Sequence, residues 1–286
     1  GSSDNTPAII EDYAAKYPDK IQVVHDDAVC RSATSNFFQL LTYARADYVM
    51  FCDQDDYWLP YKLQITLDYM KEAERKNPDE PVLIFTGLHV VDAELRSMDR
   101  FMALGIPQSR YSFQKLLLAN CASGCTEMFN RNLYEGIGVY SPDMKMHDYW
   151  LALYASACGV IYHVPMALIL YRQHSNNLIG AGKITHGGGG QFLRRLYRLA
   201  STIFSLNLRH KLRVIKQNFY DTSKSFALFR ERYSHQMKST KLQEIDTFLK
   251  LWGDSRLSRI TTFIKTGYPY TETLIDKVIV FIKMML

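Results

Sequence analysis

Three carboxylates in four positions, Asp53-Gln54-Asp55-Asp56, follow an apolar run, Tyr48-Val49-Met50-Phe51-Cys52, and lead into the turn Trp58-Leu59-Pro60. The run has the length and composition of a buried strand. A strand that emerges into Asp-x-Asp sets hard oxygen ligands at the carboxyl end of a sheet, where open α/β sheets bind their ligands. Mg²⁺ or Mn²⁺ suits such a site, held by one or two carboxylates and completed by phosphate oxygens of a substrate. Read alone, the same loop is also an acidic cap for a helix over 61–76, with Asp56 ahead of it.

Four further segments offer chemistry. Gly1-Ser2-Ser3-Asp4-Asn5-Thr6-Pro7 is a turn entering a helix, with Thr6 as N-cap and Pro7 in the first helical position. A polar loop of this kind accommodates phosphate or ribose. Asn120-Cys121-Ala122-Ser123-Gly124-Cys125-Thr126 is a small-residue loop that lets backbone N–H groups approach a ligand. Met146-His147-Asp148-Tyr149-Trp150 sets an acid at the head of an apolar helix, where the helix dipole favours it. Leu168-Ile169-Leu170-Tyr171 reads as a strand ending in Arg172-Gln173-His174-Ser175-Asn176-Asn177. Each has a plain structural reading too: a cap, a turn, a helix-end acid and a surface histidine.

In this order and at this spacing, the segments resemble the family 2 glycosyltransferases of the GT-A fold, most closely bacterial rhamnosyltransferases that build cell-surface polysaccharide. The resemblance rests on Gly-Ser-Ser-Asp-Asn-Thr at 1–6, Phe-Cys-Asp-Gln-Asp-Asp-Tyr-Trp-Leu-Pro-Tyr-Lys-Leu at 51–63, Ser-Gly-Cys-Thr at 123–126, His-Asp-Tyr-Trp at 147–150 and Tyr-Arg-Gln-His-Ser-Asn-Asn at 171–177. It implies an inverting transfer of a sugar, rhamnose by the likeness, to a polysaccharide or lipid-linked glycan acceptor. The donor would be dTDP-rhamnose or a UDP-sugar. Asp148 matches the catalytic base. Asp53, Asp55 and His174 match ligands of Mn²⁺ or Mg²⁺. Ser2, Asp4, Asp53 and Arg172 fall on the donor, and Trp58, Gly124, Cys125 and His147 line the acceptor or sugar pocket.

The resemblance also implies a β-α-β unit ahead of the glycine-serine turn. Such a unit is about 30 residues or more. This chain opens at the turn, so the first strand and the Asp that grips the base are expected to be missing, with a sheet edge left uncovered. A non-catalytic, membrane-docked scaffold is therefore an alternative. So is an Asp-x-Asp phosphohydrolase, although Tyr57 stands where those enzymes carry Thr or Val.

The elements that must position these residues alternate along the first part. Helices are expected over 7–17, 32–45, 61–76, 112–119 and 147–158, and strands over 21–25, 47–52, 82–91, 125–129, 160–163 and 166–171. Alternation of this kind predicts an α/β fold with a mainly parallel sheet and flanking helices. With 13% aromatic residues, the chain is not disordered. No stretch reads as a signal peptide or spanning helix, which predicts a cytoplasmic protein. Five cysteines without Cys-x-x-Cys spacing read as reduced core residues rather than a disulfide frame or zinc site.

Charge divides the chain. Residues up to Gly182 carry 15 Lys+Arg against 22 Asp+Glu, and the rest carry 19 against 7. The division falls at the chain's glycine-dense stretch. It predicts a catalytic domain over 1–180, a glycine-rich linker over 181–190 and a basic amphipathic helical tail over 191–286. Phe192, Leu196, Leu199 and Ile203 recur at helical steps, as do Leu242, Ile245, Phe248, Leu249 and Trp252. The terminus, residues 274–286, is mostly apolar and long enough to lie in an interface. Basic helices with such faces are drawn to anionic lipid at about 1 kcal/mol per Lys or Arg, which predicts a peripheral place on the inner face of the membrane. The alternative is a helical subdomain packed on the catalytic part or on a second copy, as a homodimer. The charge combines with no nucleic-acid motif, so nucleic acid is not an expected partner.

Overall fold

The computed structural model describes residues 2, 4–25, 30, 32–174, 208–251, 259 and 261–263, and of 208–220 the backbone alone. The chain divides into two compact units, Gly1–Ala44 and Arg45–Leu286. The expected linker over 181–190, the stretch Phe192 to Ile203, Ser175 to Asn177, Trp252 and the terminus lie outside the described residues.

The first unit holds α1 (Thr6–Lys16) and α2 (Ala33–Leu41). The N-cap of α1 is Asn5 rather than Thr6. The Thr6 N–H is instead taken up by the Asp4 side chain at 3.0 Å. Ser32 caps α2 in a reciprocal box with Ser35. Residues 21–25, expected as a strand, carry no strand pairing.

The second unit is built on a six-stranded sheet. Its strands are β1 (Tyr48–Met50), β2 (Tyr57–Trp58), β3 (Val82–Val91), β4 (Ser97–Met102), β5 (Glu127–Asn130) and β6 (Val160–Arg172). The order is β1-β5-β3-β6-β2, with β4 also paired to β3. Only β3 and β6 run parallel; the β1–β5, β5–β3, β3–β4 and β6–β2 pairs are antiparallel. The fold class is α/β as expected, but the mainly parallel sheet is not found. Two connections account for this. The chain turns back at once from β3 into β4 through a hairpin closed by Asp92 and Arg96. Strand β5 enters between β1 and β3 against the direction of both. The expected strand over 160–163 and that over 166–171 are one strand, whose register against β3 shifts near Gly87.

The core forms on both faces of β3, an apolar strand buried along almost its whole length. On one face α3 (Lys62–Lys76) lays Met70 and Ala73 against Val82, Ile84, Met128 and Val164. Asn130 ties this layer together. Its side chain accepts the Val82 N–H at 2.9 Å, donates to Glu74 at 3.0 Å, and caps α5 (Arg131–Ile137), which follows the short helix α4 (Phe113–Leu116). Helix α6 (His147–Cys158) is apolar nearly all round and correspondingly buried. It ends at Gly159, where an added Cβ would sit 2.0 Å from the Pro81 carbonyl, so only glycine lets β6 start beside β3.

Two later helices complete the core. They are α7 (Leu208–Tyr233) and α8 (Ser239–Leu251). Phe229 meets the Trp150 ring edge-on at 5.3 Å, and the Trp150 indole N–H donates to the Tyr233 hydroxyl at 3.1 Å. Tyr154 donates to Gln236 at 2.6 Å. Phe226, Phe229, Ile245, Phe248 and Leu251 are all buried. The apolar faces read in the sequence at Ile245 and Phe248 are thus spent inside this unit. Phe229→Ala is expected to destabilise the protein by about 3–5 kcal/mol, measured by denaturant unfolding, in a single transition that also unfolds the sheet.

Candidate active site

The acidic loop is held at both ends. Strand β1 enters it from its pairing with β5. Strand β2 leaves it through two rungs to β6, Tyr57 opposite Leu170 and Trp58 opposite Ile169. Leu59 N–H adds a bond to the Leu168 carbonyl at 3.1 Å. That register carries residues 53–56 alongside the end of β6. There Asp55 Oδ2 meets His174 Nε2 at 3.0 Å, and Asp56 Oδ1 accepts the backbone N–H of Arg172 at 3.2 Å. The Arg172 guanidinium reaches away, to the Ala93 carbonyl at 3.2 Å. The grip of Arg172 on the loop is therefore made by its main chain, which no residue pattern shows.

Asp53, Asp56 and Cys125 form an inner cluster, with a ligand atom from each within 4.8 Å of the others. Burial raises the Asp53 pKa, and the charge of Asp55 adds to it. Burial pushes Asp56 up to about 6, partly offset by hydrogen bonds from Cys125 and Arg172. The Cys125 thiol is held well above its ordinary value by burial, so it is a neutral donor beside Asp56. The carboxylates and the imidazole are a donor set that fits Mn²⁺ or Mg²⁺, with the nitrogen favouring Mn²⁺.

Asp148 stands in the first turn of α6. It accepts the Tyr149 N–H at 2.7 Å and a hydrogen bond from the Gly124 backbone. Burial nevertheless pushes it up to about 6, and the charge of Asp53 adds to the rise. His147, packed edge-on to Phe51 at 5.1 Å, is driven down to about 4 by burial and is neutral at physiological pH. Gly124 lets these residues close up. A Cβ there would sit 2.8 Å from His147 Nε2 and 3.3 Å from Asp148 Cβ.

Two charged residues of the site went unread in the sequence. Glu127 is fully buried at the start of β5, with no hydrogen bond to either carboxylate oxygen. Burial and then Asp148 hold its pKa well above the usual range, which favours its neutral form. Its signal was a lone charge in the run Glu127-Met128-Phe129. Lys62 is 1% exposed. It shares the buried stripe of α3 with Thr66, Met70 and Ala73, a helical spacing that was there to be read. Its Nζ lies 3.6 Å from the centre of the Trp58 ring. That ring face is closed to a sugar, and the indole packs with Leu88, Val90, Cys125 and Ile169. Burial brings the Lys62 pKa down to about 8. Ser2 and Asp4, expected on the donor, belong to the other unit, where both are exposed.

Comparison with known proteins adds lineage. The glycosyl transferase family 2 description matches residues 1–138. The dTDP-rhamnosyl transferase RfbG of Shigella flexneri is 24% identical over 194 residues, covering 63% of this chain and 62% of RfbG. The uncharacterized protein Rv1520 of Mycobacterium tuberculosis is 26% identical over 179 residues, covering 62% of this chain and 49% of that protein. The chain thus spans between about half and three-fifths of these relatives. The crystal structure of S. aureus TarS 1-349 in complex with UDP-GlcNAc aligns with a TM-score of 0.45 and 16% identity, covering 99% of this chain and 80% of that one.

Gly124→Ala is expected to push His147 and Asp148 apart and to destabilise the protein by about 1–3 kcal/mol. Thermal unfolding measures the loss, and the His147 ring resonances report the displacement.

Proposed function

From its family 2 glycosyltransferase domain over residues 1–138, we propose that the chain is an inverting transferase that moves rhamnose from dTDP to a polysaccharide or lipid-linked glycan. The observation that carries the reading is Asp148, a half-buried carboxylate in the first turn of α6 and within the field of Asp53. A single displacement at an anomeric carbon needs a base on one side and a stabilised leaving diphosphate on the other. Asp148 takes the acceptor hydroxyl proton as that oxygen bonds to the anomeric carbon. The bond to the diphosphate breaks on the opposite face, and its electrons leave with the diphosphate. The Tyr149 and Gly124 N–H groups hold the carboxylate oriented for this. Burial and then the charge of Asp148 raise the pKa of Glu127 well above its usual range, which disfavours a second charge beside the base.

Asp53, Asp55 and His174 would hold a divalent cation, which supplies Lewis-acid neutralisation of the leaving phosphates. The paired Asp55 and His174 support this set, and Asp56 is a nearby carboxylate that could join it. His147 and Gly124 form the wall beside the base, and Cys125 backs the loop. Rhamnose on dTDP is supported by the motifs at 51–63 and 171–177 and by the likeness to RfbG, a dTDP-rhamnosyl transferase. A place on the inner face of the membrane is supported by the basic balance after Gly182. Among the described residues no helix is long and apolar enough to cross a membrane.

Three outcomes test this reading. Asp148→Asn is expected to keep the wild-type melting temperature and to lose about a hundredfold or more of the transfer rate; wild-type rates in that variant would remove the base assignment. A raised carboxylate pKa makes the base inactive on its acid side. Transfer should therefore fall as pH drops through about 6, a limb that pH–rate profiles of kcat/KM locate. Calorimetry of the intact chain should show dTDP or UDP binding that requires Mn²⁺. Binding of neither nucleotide would sink the donor site.

A further inference from the structure

Lys62 is placed where an apolar residue would serve packing better. It opens α3 with its side chain buried. Its ammonium has the Trp58 ring on one side at 3.6 Å and a thioether, Met50 Sδ, at 3.7 Å. Among the described residues no carboxylate lies within ion-pair distance of it. Of the titratable groups that reach it, Cys125 and Cys52 are thiols kept protonated by burial, and Asp56 is the carboxylate. A buried cation without a paired anion is costly, and replacement by an apolar residue of similar size is often stabilising. The aromatic face recovers part of that cost. What remains is a cation against the Trp58 ring, whose indole packs on Cys125 of the inner cluster with Asp53 and Asp56.

We propose that Lys62 is a positioning residue of the donor site, whose fixed positive charge weakens the hold of the acidic loop on a lone divalent cation and favours that cation together with a nucleoside diphosphate. The inference rests on the transferase reading of the same loop. Its physics is pairwise. Lys62 repels a divalent ion held by Asp53, Asp55 and His174 and attracts the diphosphate that would accompany it. A site without Lys62 would hold the ion alone more tightly and the nucleotide alone more weakly.

The test is Mn²⁺ titration of the full chain near neutral pH, read by the electron-spin resonance of free Mn²⁺, with and without dTDP or UDP. Wild type is compared with Lys62→Met and Lys62→Arg. Lys62→Met is expected to bind Mn²⁺ alone about tenfold or more tighter than wild type and, by calorimetry, to bind dTDP or UDP alone more weakly. Its melting temperature should be unchanged or raised, whereas Lys62→Arg should keep wild-type affinities. Lys62→Gln takes the place of Met should that variant not fold. Equal or weaker binding of Mn²⁺ alone in a folded neutral variant overturns the inference. So does undiminished binding of dTDP or UDP alone in that variant. No Mn²⁺ binding in any variant, with either nucleotide present, overturns the donor-site reading itself and this inference with it.

Discussion

Two rungs of backbone pairing, Tyr57 with Leu170 and Trp58 with Ile169, decide where the chemistry lies. Asp55 and His174 are 119 residues apart in sequence and 3.0 Å apart in space. Nothing local brings them together. The rungs fix the register, the register sets the acidic loop against the end of β6, and the β1–β5 pairing holds the loop's other end. A slip of one residue would turn Asp55 and Asp56 to opposite faces. Further order in the site is added to this frame: the Arg172 N–H on Asp56, Cys125 behind it and Lys62 under Trp58.

The second constraint is dielectric. Asp53, Asp56, Glu127, Asp148, Lys62 and His147 all have pKa values moved by burial before anything else. Burial moves acids up and bases down, so each group is driven toward its neutral form. The two acids with hydrogen bonds from backbone N–H groups, Asp56 and Asp148, stay near 6 and ionise at physiological pH. Glu127, for which no hydrogen bond is found among the described residues, is pushed well above its ordinary value. Main-chain donors therefore hold down the pKa of some carboxylates and not of others. Hydrogen bonding separates them where residue type cannot.

The long elements were readable because periodicity is strong there. The helix over 147–158 and the strand over 82–91 fall where the pattern places them. Strand β4, Ser97–Met102, was missed because Ser97, Asp99 and Arg100 hide any alternation, and it owes its existence to pairing with β3. Strand direction was misjudged for a related reason: alternation of helix and strand says nothing about a strand that enters between two others, as β5 does. In the site, the motif residues Asp53, Asp55, Asp148 and His174 were legible, whereas Lys62 and Glu127 were not. Motifs draw the eye to charges in loops, and these two are charges in the buried faces of regular elements. The grip of Arg172 is out of reach of residue patterns altogether, since any non-proline residue could donate that N–H.

Helix α6 has its first turn in the site and the rest of its surface in the core. Asp148 stands at its head, and Trp150 and Tyr154 fasten its body to Tyr233 and Gln236 beyond the glycine-dense stretch. The compositional seam of the chain is thus not a mechanical seam. A chimera that joined residues 1–180 to the helical half of a relative at residue 181 would keep every sequence motif of the candidate site. It would nonetheless cut through the packing that fixes the direction of the Asp148 carboxylate. Exchange of specificity between such proteins has to graft the acidic loop and its strands into an intact scaffold, with α6, α7 and α8 transferred as one piece.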